Sequence, residues 1–171
     1  QIQDHNACIE QLWNLCTEES QTYHTKWDKG IPFRHSSGFG EVEMPLISFL
    51  LSKHAEHGKN NVSSQTFVDI GSGLGKAVCL MATLQPKFKN CFGIELLSDR
   101  HAHAKKLAYE FTTKALSNDI IFSPIMLAEG SCLTAEICKT KLKDAGLVWI
   151  NNASTTIHQP KTSQIQYLLC C

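Results

Sequence analysis

The stretch Asp69-Ile70-Gly71-Ser72-Gly73-Leu74-Gly75 decides the fold. It follows the apolar run Thr66-Phe67-Val68 and precedes Lys76 to Leu84, where Ala77, Val78, Leu80, Met81 and Leu84 fall on one helical face. An apolar run, three glycines separated by single residues and a helical pattern read as strand, tight turn and helix. Outward from there the alternation continues. Asn90-Cys91-Phe92-Gly93-Ile94-Glu95 predicts a second strand, and Ser98 is placed to cap a long helix with Ala102, Leu107, Ala108 and Phe111 inward. Ile120 to Ile125 predicts a third strand, ended by turn chemistry at Glu129-Gly130-Ser131, and Thr134 to Leu142 a helix. Gly146-Leu147-Val148-Trp149-Ile150 predicts a fourth strand delivering Asn151-Asn152, and the stretch Ile165 to Leu169, beyond Pro160, is expected to be helical.

Strands separated by helices imply a doubly wound, mostly parallel α/β sheet of the Rossmann-like kind. In such sheets the ligand sits beyond the carboxyl ends of the strands, where Asp69, Glu95, Ser131 and Asn151 all fall. The first part of the chain differs. Ile9, Leu12, Trp13, Leu15 and Cys16 predict an amphipathic helix, Trp27 to Gly40 a loop, Pro45 to Lys53 a second helix and Glu56 to Ser64 a polar linker. Residues 1–65 are therefore expected to form a helical cap and cofactor-covering loop, and residues 66–171 the ligand-binding core. The opening Gln1-Ile2-Gln3-Asp4 lacks an initiator Met, and few residues follow the fourth strand. Both features are read as a fragment whose last strands are missing, leaving a sheet edge open.

The 171 residues suffice for one domain, and 43% hydrophobic with 19% charged residues is a globular balance that excludes disorder, collagen and coiled-coil rods. Sixteen Lys+Arg cancel sixteen Asp+Glu, so the basic excess of free-standing nucleic-acid binders is lacking and no sequence-specific DNA binding is expected. Met44 to Leu51 falls far short of the roughly 20 apolar residues of a membrane span. Eight cysteines are scattered without a CxxC spacing and are expected to be reduced and structural, with an intracellular location as the consequence. The pairs His101-x-His103 and His54-x-x-His57 have no Cys or carboxylate partner at zinc-site spacing, so no metal is expected and these histidines are read as solvated.

Two details of the glycine motif narrow the ligand. A dinucleotide site uses G-x-G-x-x-G, whereas here the third glycine comes one residue early and an acid stands two before the first. A carboxylate there repels a pyrophosphate and attracts a ligand with an ammonium and a sulfonium, such as S-adenosylmethionine. A phosphate-cradling P-loop is excluded, because Lys76 lacks the preceding G-x-x-x-x-G spacing. Glu95, about two dozen residues after Gly71, is placed to accept hydrogen bonds from both hydroxyls of a ribose.

The glycine motif, Phe92-Gly93-Ile94-Glu95, the upstream Gly38-Phe39-Gly40-Glu41 and the strand end Val148-Trp149-Ile150-Asn151-Asn152 together resemble the non-SET histone H3 lysine methyltransferases of the disruptor-of-telomeric-silencing family. The resemblance runs from about Trp27 to Asn152. It implies the class I S-adenosylmethionine-dependent methyltransferase fold, S-adenosylmethionine as cofactor, histone H3 within nucleosomes as partner, a nuclear location and a monomer. It also implies that Glu41 and Asp69 hold the methionine end of the cofactor alongside Gly71, Gly73 and Gly75, that Glu95 takes the ribose, and that Asn151 lies by the methyl group and the incoming lysine amine.

The chain departs from the family in two places. The family has Gly-Asp-Phe after the third strand, its Asp accepting from the adenine amino group, whereas this chain has Gly130-Ser131-Cys132. Ser131 therefore stands at the adenine position, and the adenine contact is expected to be weaker or supplied by the backbone. After the Asn pair the family has aromatic channel walls, and here Ala153-Ser154-Thr155 follows. Free lysine has a pKa of about 10.4, so transfer to it needs an apolar channel beside a positive charge to favour the neutral amine. Asn151 would orient that amine rather than deprotonate it, although an Asn pair can also simply end a strand and begin a turn. Two other readings stay open: a methyltransferase with another acceptor, and a cofactor-binding domain of weak catalysis that serves chromatin interaction.

Overall fold

The computed structural model describes residues 5–27, 44–57, 62–85, 87–151 and 165–169. Helices α1 (His5–Trp27) and α2 (Met44–His57) precede a 3-10 turn at Val62–Ser64. Then come β1 (Thr66–Ile70), α3 (Lys76–Thr83), β2 (Asn90–Glu95), α4 (Ser98–Ser117), β3 (Ile125–Glu129), α5 (Glu136–Lys143), β4 (Ala145–Asn151) and β5 (Ile165–Leu169). The strand order is β3-β2-β1-β4-β5, with β1 to β4 parallel and β5 antiparallel to β4. The fold is thus the expected doubly wound, mostly parallel α/β type, with helices α1 and α2 preceding the first strand in the sequence.

Strand alternation sorts the apolar residues onto two faces. Phe67, Cys91, Leu147 and Trp149 pack with Ile47, Leu50 and Leu51 of α2 and with Ala77, Val78, Met81 and Ala82 of α3. On the other face Val68, Phe92, Ile94 and Val148 pack with Cys138 of α5. A third cluster joins Cys8, Leu12 and Cys16 of α1 to Cys79 and Leu80 of α3 and to Leu107, Phe111 and Ala115 of α4. Helix α3 is covered on all sides, and every residue from Lys76 to Thr83 is buried. Since the helix after β1 lies on one face and the helix before β4 on the other, the chain reverses direction across the sheet between β1 and β4. Ligands of open α/β sheets bind at such a reversal.

Five expectations are corrected. The third strand is Ile125–Glu129, not Ile120 to Ile125; Ile120 instead closes the cluster under α4, and Pro124, which has no N–H, stands just before the ladder begins. The segment Ile165–Leu169 is a strand, because it supplies the outer edge of β4 with hydrogen-bond partners from Leu147↔Leu169 to Asn151↔Ile165. Ser98 does not cap α4: Leu97 holds that position, and the Ser98 hydroxyl donates to the Glu129 carboxylate. Ala102 is exposed, since the buried face of α4 runs through Ala104, Leu107, Phe111 and Ala115. His54 is buried rather than solvated, stacked on Phe88 with ring centroids 5.7 Å apart.

The first, second and fourth strands stand within a residue of their expected bounds, and α2 runs on to His57, into the stretch expected to be a polar linker. The expected loop from Trp27 to Gly40 lies outside the described residues apart from Trp27, which ends α1. No described helix is long and apolar enough to cross a membrane. The six described cysteines are free, and burial pushes the Cys91 and Cys138 thiols up, so they act as core atoms rather than nucleophiles.

His54 offers a direct test of the packing. Its Nε2 is buried with no hydrogen-bond partner among the described residues. An unmet buried polar atom costs stability, so His54→Phe, which keeps the ring stacked on Phe88, is expected to raise unfolding free energy by about 1 kcal/mol. Urea denaturation measures it, and a variant no more stable than the parent would contradict the packing.

Candidate functional site

Alternation along β1 and β2 places Asp69 on the face of Phe67, and Glu95 on the face of Cys91 and Gly93, so both acids meet the start of α3. Both are buried, at 3% and 5% exposure. The chain turns between them through Gly71, Gly73 and Gly75, with φ of 76°, 54° and 78°, values that a side chain strains to adopt. The Ile94 carbonyl accepts from the N–H groups of both Gly71 and Ser72, at 2.9 and 3.0 Å, and the Gly75 N–H donates to the Ser72 carbonyl. These bonds fasten the turn to β2.

Glu95 fastens it further. One carboxylate oxygen accepts from the Gly73 N–H at 2.8 Å, and the other accepts from the Leu97 N–H at 3.0 Å. Each oxygen carries two lone pairs, so each retains one for a further donor. The Glu95 carbonyl accepts from the Gly130 N–H at 2.8 Å, which ties the end of β3 to the same corner. The site is therefore a row of three strand ends held by main-chain and carboxylate bonds.

Asp69 lies buried beside Glu95. Burial, and secondly repulsion from Glu95, push its carboxyl up to about 8. On the register, Asp69 lies opposite Gly93 on one side and Trp149 on the other, neither of which brings a charge. Lys76, the first residue of α3, is buried and sets its ammonium 4.9 Å above the Trp13 ring of α1. A cationic ligand beside Asp69 would find a carboxyl whose ionisation it can restore.

The spatial role of Gly93 emerges only in three dimensions. A Cβ there would lie 2.8 Å from Val78 Cγ2 and 2.9 Å from both Ser72 Cβ and Oγ. A glycine inside a strand pattern is the sequence signal for such a close approach. Gly93→Ala should force β2 away from α3 and the glycine turn, at a cost of about 2 kcal/mol. Thermal unfolding reads it, and an unchanged midpoint would show that the turn can yield.

The remaining expected site residues divide. Asn151 is the last residue of β4, one position beyond the Ile70↔Ile150 pair, and thus stands at the same edge as Asp69 across the reversal point. Ser131 follows β3 at this edge; its hydroxyl oxygen accepts from the Leu133 N–H at 3.2 Å, and its carbonyl accepts from Thr134 and Ala135. Asp69, Gly71, Gly73, Gly75, Glu95 and Ser131 are thereby brought to one edge of the sheet. Glu41, Asn152 and the stretch Ala153-Ser154-Thr155 lie outside the described residues. Leu96 and Leu133, on the loops after Glu95 and Ser131, are exposed at 65% and 81%.

Comparison with known proteins follows this geometry. Among solved structures, a Klebsiella pneumoniae protein described as an O-methyltransferase shares 12% identity at a TM-score of 0.45, over 93% of this chain and 72% of its own. E. coli YjhP shares 13% identity at a TM-score of 0.37, over 69% of this chain and 51% of its own. No curated protein sequence matches significantly. The family described as Histone methylation protein DOT1 matches residues 32–165, a span that takes in the glycine turn, both buried acids and the end of β4. The chain belongs to the DOT1 histone methylation family.

Proposed function

We propose that this chain transfers a methyl group from S-adenosylmethionine to a lysine side-chain amine of histone H3 in nucleosomes, as a nuclear monomer. The observation that carries the reading is the meeting of Asp69, Glu95 and the glycine turn at the reversal point of the sheet, inside the segment matched to the family. The residues fit the cofactor. Glu95 keeps one acceptor site on each oxygen, as a ribose with two hydroxyls requires, and among the described residues the buried Asp69 has no positive neighbour of the kind that a sulfonium and an ammonium would provide.

When bound, S-adenosylmethionine supplies an already activated methyl, so the protein's work is to position and to exclude water. In this reading Glu95 fixes the ribose, Asp69 faces the charged methionine end, and Gly71, Gly73 and Gly75 let the backbone approach. Ser131 would lie by the adenine, Glu41 would help hold the methionine end, and Asn151 would accept a hydrogen bond from the incoming amine and orient it. The amine must arrive neutral, which a positive charge nearby and loss of hydration both favour.

A second reading, cofactor binding with weak catalysis in a chromatin-interaction domain, is favoured by Ser131, a neutral hydroxyl where the resembled family has a carboxylate. Isotopically labelled S-adenosylmethionine offered with nucleosomes, free histones and small amines decides between them. Label on a lysine of H3 in nucleosomes supports the proposal. Binding without transfer supports the second reading, and label only on a small acceptor contradicts both.

A further inference from the structure

We propose that Asp69 is the residue by which this site distinguishes its cationic cofactor from the neutral product: it gives up a proton as S-adenosylmethionine binds and takes one back once the methyl has left. The inference rests on the proposed use of S-adenosylmethionine. Its ground is the arrangement of charge around one buried carboxyl. Asp69 and Glu95 are 3% and 5% exposed at neighbouring strand ends, and Glu95 is already anchored by two N–H donors.

Among the described residues, the elements packed on β1 are β2, β4, α3, α5 and, through Phe67, α2, whose Lys53 is exposed and paired with Glu56 and whose His54 is stacked on Phe88. Strand β2 brings Glu95, which repels, and the neutral thiol Cys91. Strand β4, Ala145–Asn151, contains no titratable residue. Helix α3 brings Cys79, in the core, and Lys76, whose ammonium lies over Trp13. Helix α5 carries Glu136, Lys139, Lys141 and Lys143, but it covers the opposite face, where Cys138 packs on Val68. No cation of these elements answers Asp69, and both influences on its titration, burial first and Glu95 second, act in the same upward direction.

A ligand of net positive charge supplies the missing partner and draws Asp69 into its ionised form. On methyl transfer the C–S bonding pair stays on sulfur, and the positive charge leaves with the methylated nitrogen. What remains in the site is a thioether with a balanced ammonium and carboxylate, of zero net charge. Asp69 then faces Glu95 with one fewer positive charge nearby and recovers a proton from solvent. Affinity for S-adenosylmethionine should therefore rise with pH up to about 8, approaching tenfold per pH unit, while affinity for S-adenosylhomocysteine stays nearly level.

The test is isothermal titration calorimetry of the whole chain with each ligand at pH 7, in buffers of different ionisation enthalpy, repeated with Asp69→Asn. The expected result is release of about one proton with S-adenosylmethionine, close to none with S-adenosylhomocysteine, and none with either ligand in Asp69→Asn. Equal proton release for both ligands, release that survives in Asp69→Asn, or S-adenosylmethionine binding with no release would each overturn the inference while leaving the proposed function standing. Absence of S-adenosylmethionine binding would overturn both. The parent protein alone supplies the comparison between ligands, so the result does not depend on the variant's folding.

Discussion

Glu95→Ala is expected to weaken S-adenosylmethionine binding about a hundredfold, the largest effect of any single substitution at this site. On the proposed function, the change removes a charged acceptor of two ribose hydroxyls; it also leaves the Gly73 and Leu97 N–H groups without their partner. Hydrogen bonds to charged groups contribute about 1.5–3 kcal/mol each, and a hundredfold corresponds to about 2.7 kcal/mol. Glu95→Gln should fall between, near tenfold, because its amide keeps one accepting oxygen but turns a donor toward one of the two N–H groups. Calorimetric titration of the three proteins checks the order. Equal affinity of parent and Glu95→Ala would remove Glu95 from the site.

Asp69→Asn is expected to stabilise the unliganded protein at pH 8 by an amount on the order of 5 kcal/mol, while weakening S-adenosylmethionine binding. The carboxyl is raised from 3.8 to about 8, so between those values the folded state holds a proton that the unfolded state has lost. The stabilisation from this group is therefore fully present below about pH 4 and declines as pH rises toward 8. Asparagine carries no charge at any of these values. The stability difference between variant and parent should be near zero at pH 4 and grow steadily to pH 8, where it corresponds to a large rise in melting temperature. Subtracting the two curves cancels the titration of every other group. A difference independent of pH would show that Asp69 is not confined as described.

The sequence is most legible where turn chemistry bounds an apolar run. Strands β1 and β2 stop at Gly71 and at Glu95-Leu96, and their observed limits match the local pattern. The same local signal fails at β3, because Ile120 and Phe122 read as strand residues yet serve the helical cluster instead, with Ile121 between them exposed. It fails again at Ile165–Leu169, where an exposed edge on β4, invisible in a five-residue window, decides for a strand. Asp69, Gly71, Gly73, Gly75, Glu95, Ser131 and Asn151 could be placed at one sheet edge because alternating strands and helices fix where strand ends go. What could not be read is how the residues touch. The clasp of Glu95 on Gly73 and Leu97, the space kept open by Gly93, and the pairing of Lys76 with Trp13 each join segments distant in the chain.

Hydrogen–deuterium exchange with and without S-adenosylmethionine tests the central claim most directly, because it locates the ligand without assuming a reaction. The account predicts slower exchange on ligand addition at Gly71 to Gly75, at Glu95 to Ser98 and around Gly130 and Ser131, with α5 and the amino ends of the strands unchanged. No protection at saturating ligand, or protection away from the carboxyl edge of the sheet, would contradict it.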